Sequence, residues 1–148
     1  MSHMIKCETN MTDRKTLLSA LDKLGIPQDA IVCSDTTSET IKLRGYNRQT
    51  ADAEIIIKRD VYHKGYGDVG FVKNPSGTYS CIVDDMDDVG SLARKAGLTN
   101  SPEGSRATFS KSVNQWYSAL TAQKALRRQG LSTKIKQQEA KLVVVATG

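Results

Sequence analysis

The sequence predicts an α+β fold, a mainly antiparallel sheet with two principal helices on one face, and three observations predict it. Leu17, Leu18, Leu21 and Leu24 recur at helical spacing near the start, and Phe109, Val113, Trp116 and Leu120 do so near the end. Between them lie short runs that alternate apolar and polar residues, the period of strands covered on one face. Two of those runs flank "NPSG", a turn composition that sets up a hairpin. Helices with a single apolar stripe need a sheet to lie on.

Taken in order, "IKCET" alternates with Ile5 and Cys7 on one side and reads as a strand. The leucine helix follows, with Thr12 or Asp13 as its cap and Gly25 and Pro27 at its end. "AIVC" is extended and lapses into a polar loop, "SDTTS". "ETIKLRG" sets Ile41 and Leu43 against Lys42 and Arg44, and "ADAEIIIKRD" reads as one further strand, β-branched at Ile55, Ile56 and Ile57. Gly45 and "NRQT" between them form a bend of hairpin length, so that pair is antiparallel.

"GYGDVGFVKNPSGTYSCIVDD" is the clearest hairpin, because Pro75 pre-sets the backbone at the second turn position and Gly77 releases it at the fourth. "DDVGSLARKAG" reads as a short helix capped by Asp87 or Asp88 and closed by Gly97, and "LTNSPEGS" as a loop. The longest helix runs from about Ser105 to Gln129 and stops at Gly130. "STKIKQQ" and "KLVVVATG" close the chain as strands. This order favours a ferredoxin-like plan with an extra hairpin, built as one α+β domain over residues 1–148.

A chain of 148 residues buries a core without help from disulfides or metal, and 39% hydrophobic with 25% charged residues is the composition of an ordinary globule. Cys7, Cys33 and Cys81 are odd in number and far apart, lack zinc or redox spacing, and fit a reducing cytoplasm. No apolar run is long enough to span a membrane, and the N-terminus lacks the basic-then-apolar pattern of a secretory signal.

Charge is unevenly placed. Residues 1–105 carry 13 Lys and Arg against 15 Asp and Glu, a balance of −2. Residues 106–148 carry Arg106, Lys111, Lys124, Arg127, Arg128, Lys134, Lys136 and Lys141 against Glu139 alone, a balance of +7. A polyanionic partner would dock there, although such a run is more often only a solvated helix face. Lys124, Arg127 and Arg128 also suit the negative end of the long helix without any ligand.

Several other motifs each have a plainer reading. Arg44, Tyr46, Arg48 and Gln49 combine phosphate forks with a stacking ring, the means by which a sheet edge holds single-stranded nucleic acid, but first they form a hairpin bend. Asp84, Asp85, Asp87 and Asp88 offer oxygen ligands to a hard cation, yet lack the spacing of a calcium loop and read better as a strand end and helix cap. Gly65, Gly67 and Gly70 match the order of the dinucleotide fingerprint but lead into a strand, so they are expected to be bend residues. His3 and His63 are the only histidines, and neither belongs to a hydrolase signature. Tyr62, His63, Tyr66 and Asp68 lie close enough in sequence to line a polar cleft.

The start "MSH", the stretch "RGYNRQTADAEIIIK", the hairpin "DVGFVKNPSGTYSCIVDD" and the helix "NQWYSALTAQKALRRQGL" together resemble the hypothetical chloroplast reading frame thirty-five family, domain of unknown function number twelve fifty-seven, of cyanobacteria, plastids and phages. The likeness covers nearly the whole chain in order. It implies that Met1, Ser2 and His3 are native and that the setting is cytoplasmic or stromal; the divergence from the family pattern makes a cyanobacterial phage one candidate source. In the family pattern the strand end carries aromatic residues where Asp84 here leads into "DMDD", and the long helix carries an aromatic and a His where Tyr117 here leads into "SALT". The resemblance carries no activity with it.

The resulting expectation is a small non-enzymatic accessory or adaptor protein that binds another protein through a sheet face or its basic C-terminal region, without a cofactor. The first alternative is an electrostatic binder of single-stranded nucleic acid using Arg44, Arg48, Lys124, Arg127, Arg128, Lys134 and Lys136. The second is an enzyme acting on a small polar substrate. Oligomeric state is left open.

Overall fold

The computed structural model describes residues 4–36, 39–45, 49–59, 67–84, 105–138 and 141–148. It is an α+β structure with antiparallel strand pairing throughout those residues. They fall into two compact units, one formed by residues 1–12 and 26–89 and the other by residues 13–25 and 90–148.

The first unit holds β1 (Met4–Glu8), β2 (Ile31–Cys33), β3 (Ile41–Arg44), β4 (Thr50–Ala53), β5 (Ile55–Ile57), β6 (Val69–Lys73) and β7 (Tyr79–Asp84). Five of these form a sheet in the order β1-β7-β6-β5-β2, while β3 and β4 pair as a separate ribbon. The expected hairpin at Asn74–Gly77 joins β6 to β7: Asn74 N and Thr78 O bond at 2.7 Å, and Gly77 adopts a φ of 92°, where a Cβ would be strained.

Register fixes the two faces of the sheet. Ile56 lies opposite Gly70 and Gly70 opposite Ile82, and the ribbon's Leu43 and Ala53 pack with Ile56 and Ile82 in one buried cluster. The other face carries Ile55, Ile57, Val69, Phe71, Tyr79, Cys81 and Val83, all buried. Cys7 stands opposite Cys81 across β1 and β7.

"ADAEIII" departs from its reading as one strand. It breaks at Glu54, so that Thr50–Ala53 belongs to the ribbon and Ile55–Ile57 to the sheet. Glu54 is 1% exposed; its N donates to Phe71 O and its carbonyl accepts from Ser34 N, both at 2.8 Å, while Oε2 accepts from Lys73 N at 2.9 Å. A buried backbone must place its polar groups, and partners distant in sequence decide the break.

Gly67 lies at a bend, as expected, whereas Gly70 lies inside β6. A Cβ at Gly67 would stand 2.9 Å from Gly45 Cα, and one at Gly70 would collide with Leu43 Cδ1. Their missing side chains let the ribbon approach the sheet.

The second unit holds α1 (Arg14–Lys23), α2 (Ser105–Arg128), β8 (Ser132–Gln138) and β9 (Lys141–Thr147). Asp13, not Thr12, caps α1, accepting from Thr16 N at 3.0 Å. Thr16, Leu17, Ala20, Leu21 and Leu24 form its buried stripe, and Leu18 is only half-buried. Along α2 the buried positions are Thr108, Phe109, Ser112, Val113, Tyr117 and Ala119, with Trp116 and Leu120 half-buried. The stripe is broad because α2 packs against both α1 and the β8–β9 hairpin. Gly130 ends this helix with a φ of 83°. No helix among the described residues is long and apolar enough to cross a membrane. The short helix expected in "DDVGSLARKAG" and the loop after it lie outside the described residues.

Candidate functional site

The C-terminal hairpin owes its two faces to strand periodicity. β8 and β9 pair along their whole length, from Ser132 opposite Thr147 to Gln138 opposite Lys141. Residues directly opposed in an antiparallel pair share a face. Leu142 and Val144 therefore lie with Ile135, and both line a shallow groove of about 400 Å³ against Asn114, Gln115 and Ser118 of α2. The outward face carries Lys134 opposite Val145 and Lys136 opposite Val143. Both lysines are exposed and the two valines half-buried.

The groove takes its polar wall from Asn114, Gln115 and Ser118 of α2. Gln115 Oε1, on its polar wall, is sealed from solvent without a hydrogen-bond partner among the described residues. The outward lysine face is the more accessible feature.

Of the expected contact residues, Lys134, Lys136 and Arg128 project as exposed side chains in the second unit. Arg127 is exposed but engaged, its Nε donating to Thr133 Oγ1 at 2.9 Å. Lys124 is engaged more fully: Nζ donates to Thr16 Oγ1 at 2.9 Å and stands 3.7 Å from Asp13 Oδ2. The Thr16 hydroxyl, bonded to Asp13, is the main reason that the Asp13 carboxyl is held below its usual range, with the Thr16 amide and Lys124 adding to it against opposing burial.

Arg44 and Gln49 belong to the first unit. Arg44 is an exposed side chain at the end of β3, Gln49 is half-buried, and Gly45 N donates to Gln49 O at 2.7 Å across the bend. Tyr46 and Arg48 lie outside the described residues. Asp84 ends β7 opposite Met4, while Asp85, Asp87 and Asp88 lie outside. Among the described residues there is no group of three or more His, Cys, Asp or Glu that could hold a metal ion.

The same boundary removes His3, Tyr62, His63, Tyr66 and Gly65 from view. Asp68, the fourth member of the suggested cleft, is 4% exposed, and each carboxylate oxygen accepts a backbone bond: Oδ2 from Arg44 N at 3.1 Å and Oδ1 from Arg59 N at 3.2 Å. It ties two backbone segments together. Sequence reasoning offered Asp13 as a cap but passed over Glu54, which carries no local signal.

A family model described as "Protein of unknown function (DUF1257)" matches residues 20–144. No curated protein and no solved structure matches the chain.

Proposed function

This chain belongs to the DUF1257 family of proteins of unknown function, and we propose that it acts as a small non-enzymatic accessory protein that binds another protein through its basic C-terminal region. The observation that supports this reading is the outward face of the β8–β9 hairpin. It sets exposed Lys134 and Lys136 beside half-buried Val143 and Val145, an apolar strip with a cationic rim. Such a pairing of apolar area with flanking charge suits a protein surface, where burial supplies affinity and charge supplies orientation. Its setting is the cytoplasm, that of the host if the chain is phage-encoded, in line with its three free cysteines and with motifs resembling those of cyanobacterial, plastid and phage members.

Single-stranded nucleic acid is the competing partner, and salt separates the two. A protein that neutralises several phosphates loses affinity steeply as salt rises, by about 0.7 in log K per phosphate for each unit of log salt on a single strand. The chain is passed over immobilised single-stranded DNA and RNA with increasing salt. Protein binding predicts release at the first low-salt steps with a shallow slope. Tight retention at physiological salt with a slope of several phosphates would overturn it.

A further inference from the structure

We propose that the edge of β8 facing away from β9 docks an extended acidic segment of a partner protein, added as a further strand whose alternate carboxylates meet Lys134 and Lys136. This inference rests on the protein-binding reading above and gives that partner its chemistry.

β9 occupies one side of β8 over its full length, and among the described residues no strand lies on the other side. Alternate residues of an antiparallel strand direct N–H and C=O away from their partner, so from Ser132 to Lys136 this edge presents backbone donors and acceptors. An incoming strand satisfies them in the way that peptide-binding sheet edges do.

Side chains then select the sequence. Lys134 and Lys136 share a face and stand two residues apart, roughly 7 Å along the strand. On the β9 side their opposed residues are Val145 and Val143, which leaves their charge uncompensated there. A strand added on the open side brings every second side chain to within about 5 Å of these lysines, where an opposite charge is favourable. Arg127 and Arg128, exposed at the end of α2, add positive charge near the start of β8. Residues 106–148 contain only Glu139 as a competing carboxylate.

Two other occupants fit less well. A second copy pairing antiparallel through β8 about Ile135 would set Lys134 of each chain opposite Lys136 of the other, like charge against like. Single-stranded nucleic acid gains much of its affinity from aromatic stacking. The outward face, which runs from Ser132 opposite Thr147 to Gln138 opposite Lys141, carries no aromatic side chain.

The test uses the full chain and a labelled peptide alternating glutamate and threonine, followed by fluorescence anisotropy. Comparators are a block isomer of the same composition, two versions N-methylated at the glutamates or at the threonines, and oligothymidylate. The alternating peptide is expected to bind about tenfold more tightly than the block isomer, and N-methylation to abolish binding in at least one version. Lys134→Glu with Lys136→Glu, both exposed and checked for unchanged thermal unfolding, reverses the preference toward an alternating lysine and threonine peptide. Equal binding of alternating and block peptides, full binding by both N-methylated versions, or binding of oligothymidylate alone would each overturn the inference. The double variant capturing the same nuclease-resistant protein as the unaltered chain overturns the edge but not the protein-binding reading. Absence of any such protein from the unaltered chain overturns the reading itself.

Discussion

Lys124 Nζ donates to Thr16 Oγ1 at 2.9 Å, across 108 positions of sequence, and so ties α2 to the first turn of α1. Asp13 completes the arrangement from both sides: its carboxylate caps α1, and its backbone N donates to Tyr117 OH at 2.9 Å. Asp13→Ala is therefore expected to cost about 1 kcal/mol in denaturant unfolding, the usual loss for a helix cap. Asp13→Asn keeps a capping oxygen and loses less. Lys124→Ala loses under about 1 kcal/mol, because the ion pair is more than half exposed on both sides.

The lowered Asp13 pKa gives that contribution a pH dependence with a definite sign. A carboxyl whose folded pKa is depressed stabilises above its unfolded value, about 4, and the benefit disappears as pH falls through the folded value. Unfolding midpoints of the unaltered chain and Asp13→Asn should keep a constant gap between pH 7 and 5. That gap narrows below about pH 4. Its amplitude is small, since the side chain is half exposed and screened by water.

Gly70→Ala should destabilise by about 1–3 kcal/mol, because the added methyl meets Leu43 Cδ1 as well as Ala53 Cβ at 3.1 Å in a packed cluster. Leu43→Ala alone should cost about 2–5 kcal/mol through the cavity that it leaves. The double variant is the decisive one, since a methyl at 70 partly fills the space vacated at 43. Its cost should fall short of the sum of the two single changes, and strict additivity in a denaturant cycle would refute the close approach.

Cys81 should resist thiol reagents in the folded chain. Burial, with a smaller effect from Cys7 opposite, pushes its thiol pKa far up and leaves little thiolate to react. Cys7 and Cys33 are half-buried. Labelling at pH 8 should therefore modify two thiols promptly and the third only on unfolding; three prompt thiols would contradict the sheet register.

What was legible in the sequence was what depends on near neighbours. The leucine stripe of α1, the turn at Pro75 and Gly77, and the alternation in β3 and β8 each follow from residues within a few positions of one another. The break at Glu54 was hidden, because β-branched composition continues through it and the deciding partners are Ser34, Phe71 and Lys73. Gly70 looked like a bend for the same reason: its role is set by Leu43, which reaches it only in the folded ribbon. Within the candidate site, charge singled out Lys134 and Lys136, both of which are exposed. Charge could not separate them from Lys124, whose partner Thr16 lies in another helix.

The most direct test of the central claim is affinity capture of the tagged chain from its native host, with nuclease treatment of a parallel sample. Protein binding through the C-terminal hairpin predicts a co-eluting protein that survives nuclease and is lost with Lys134→Glu and Lys136→Glu together. Co-eluting material that disappears on nuclease treatment would contradict it.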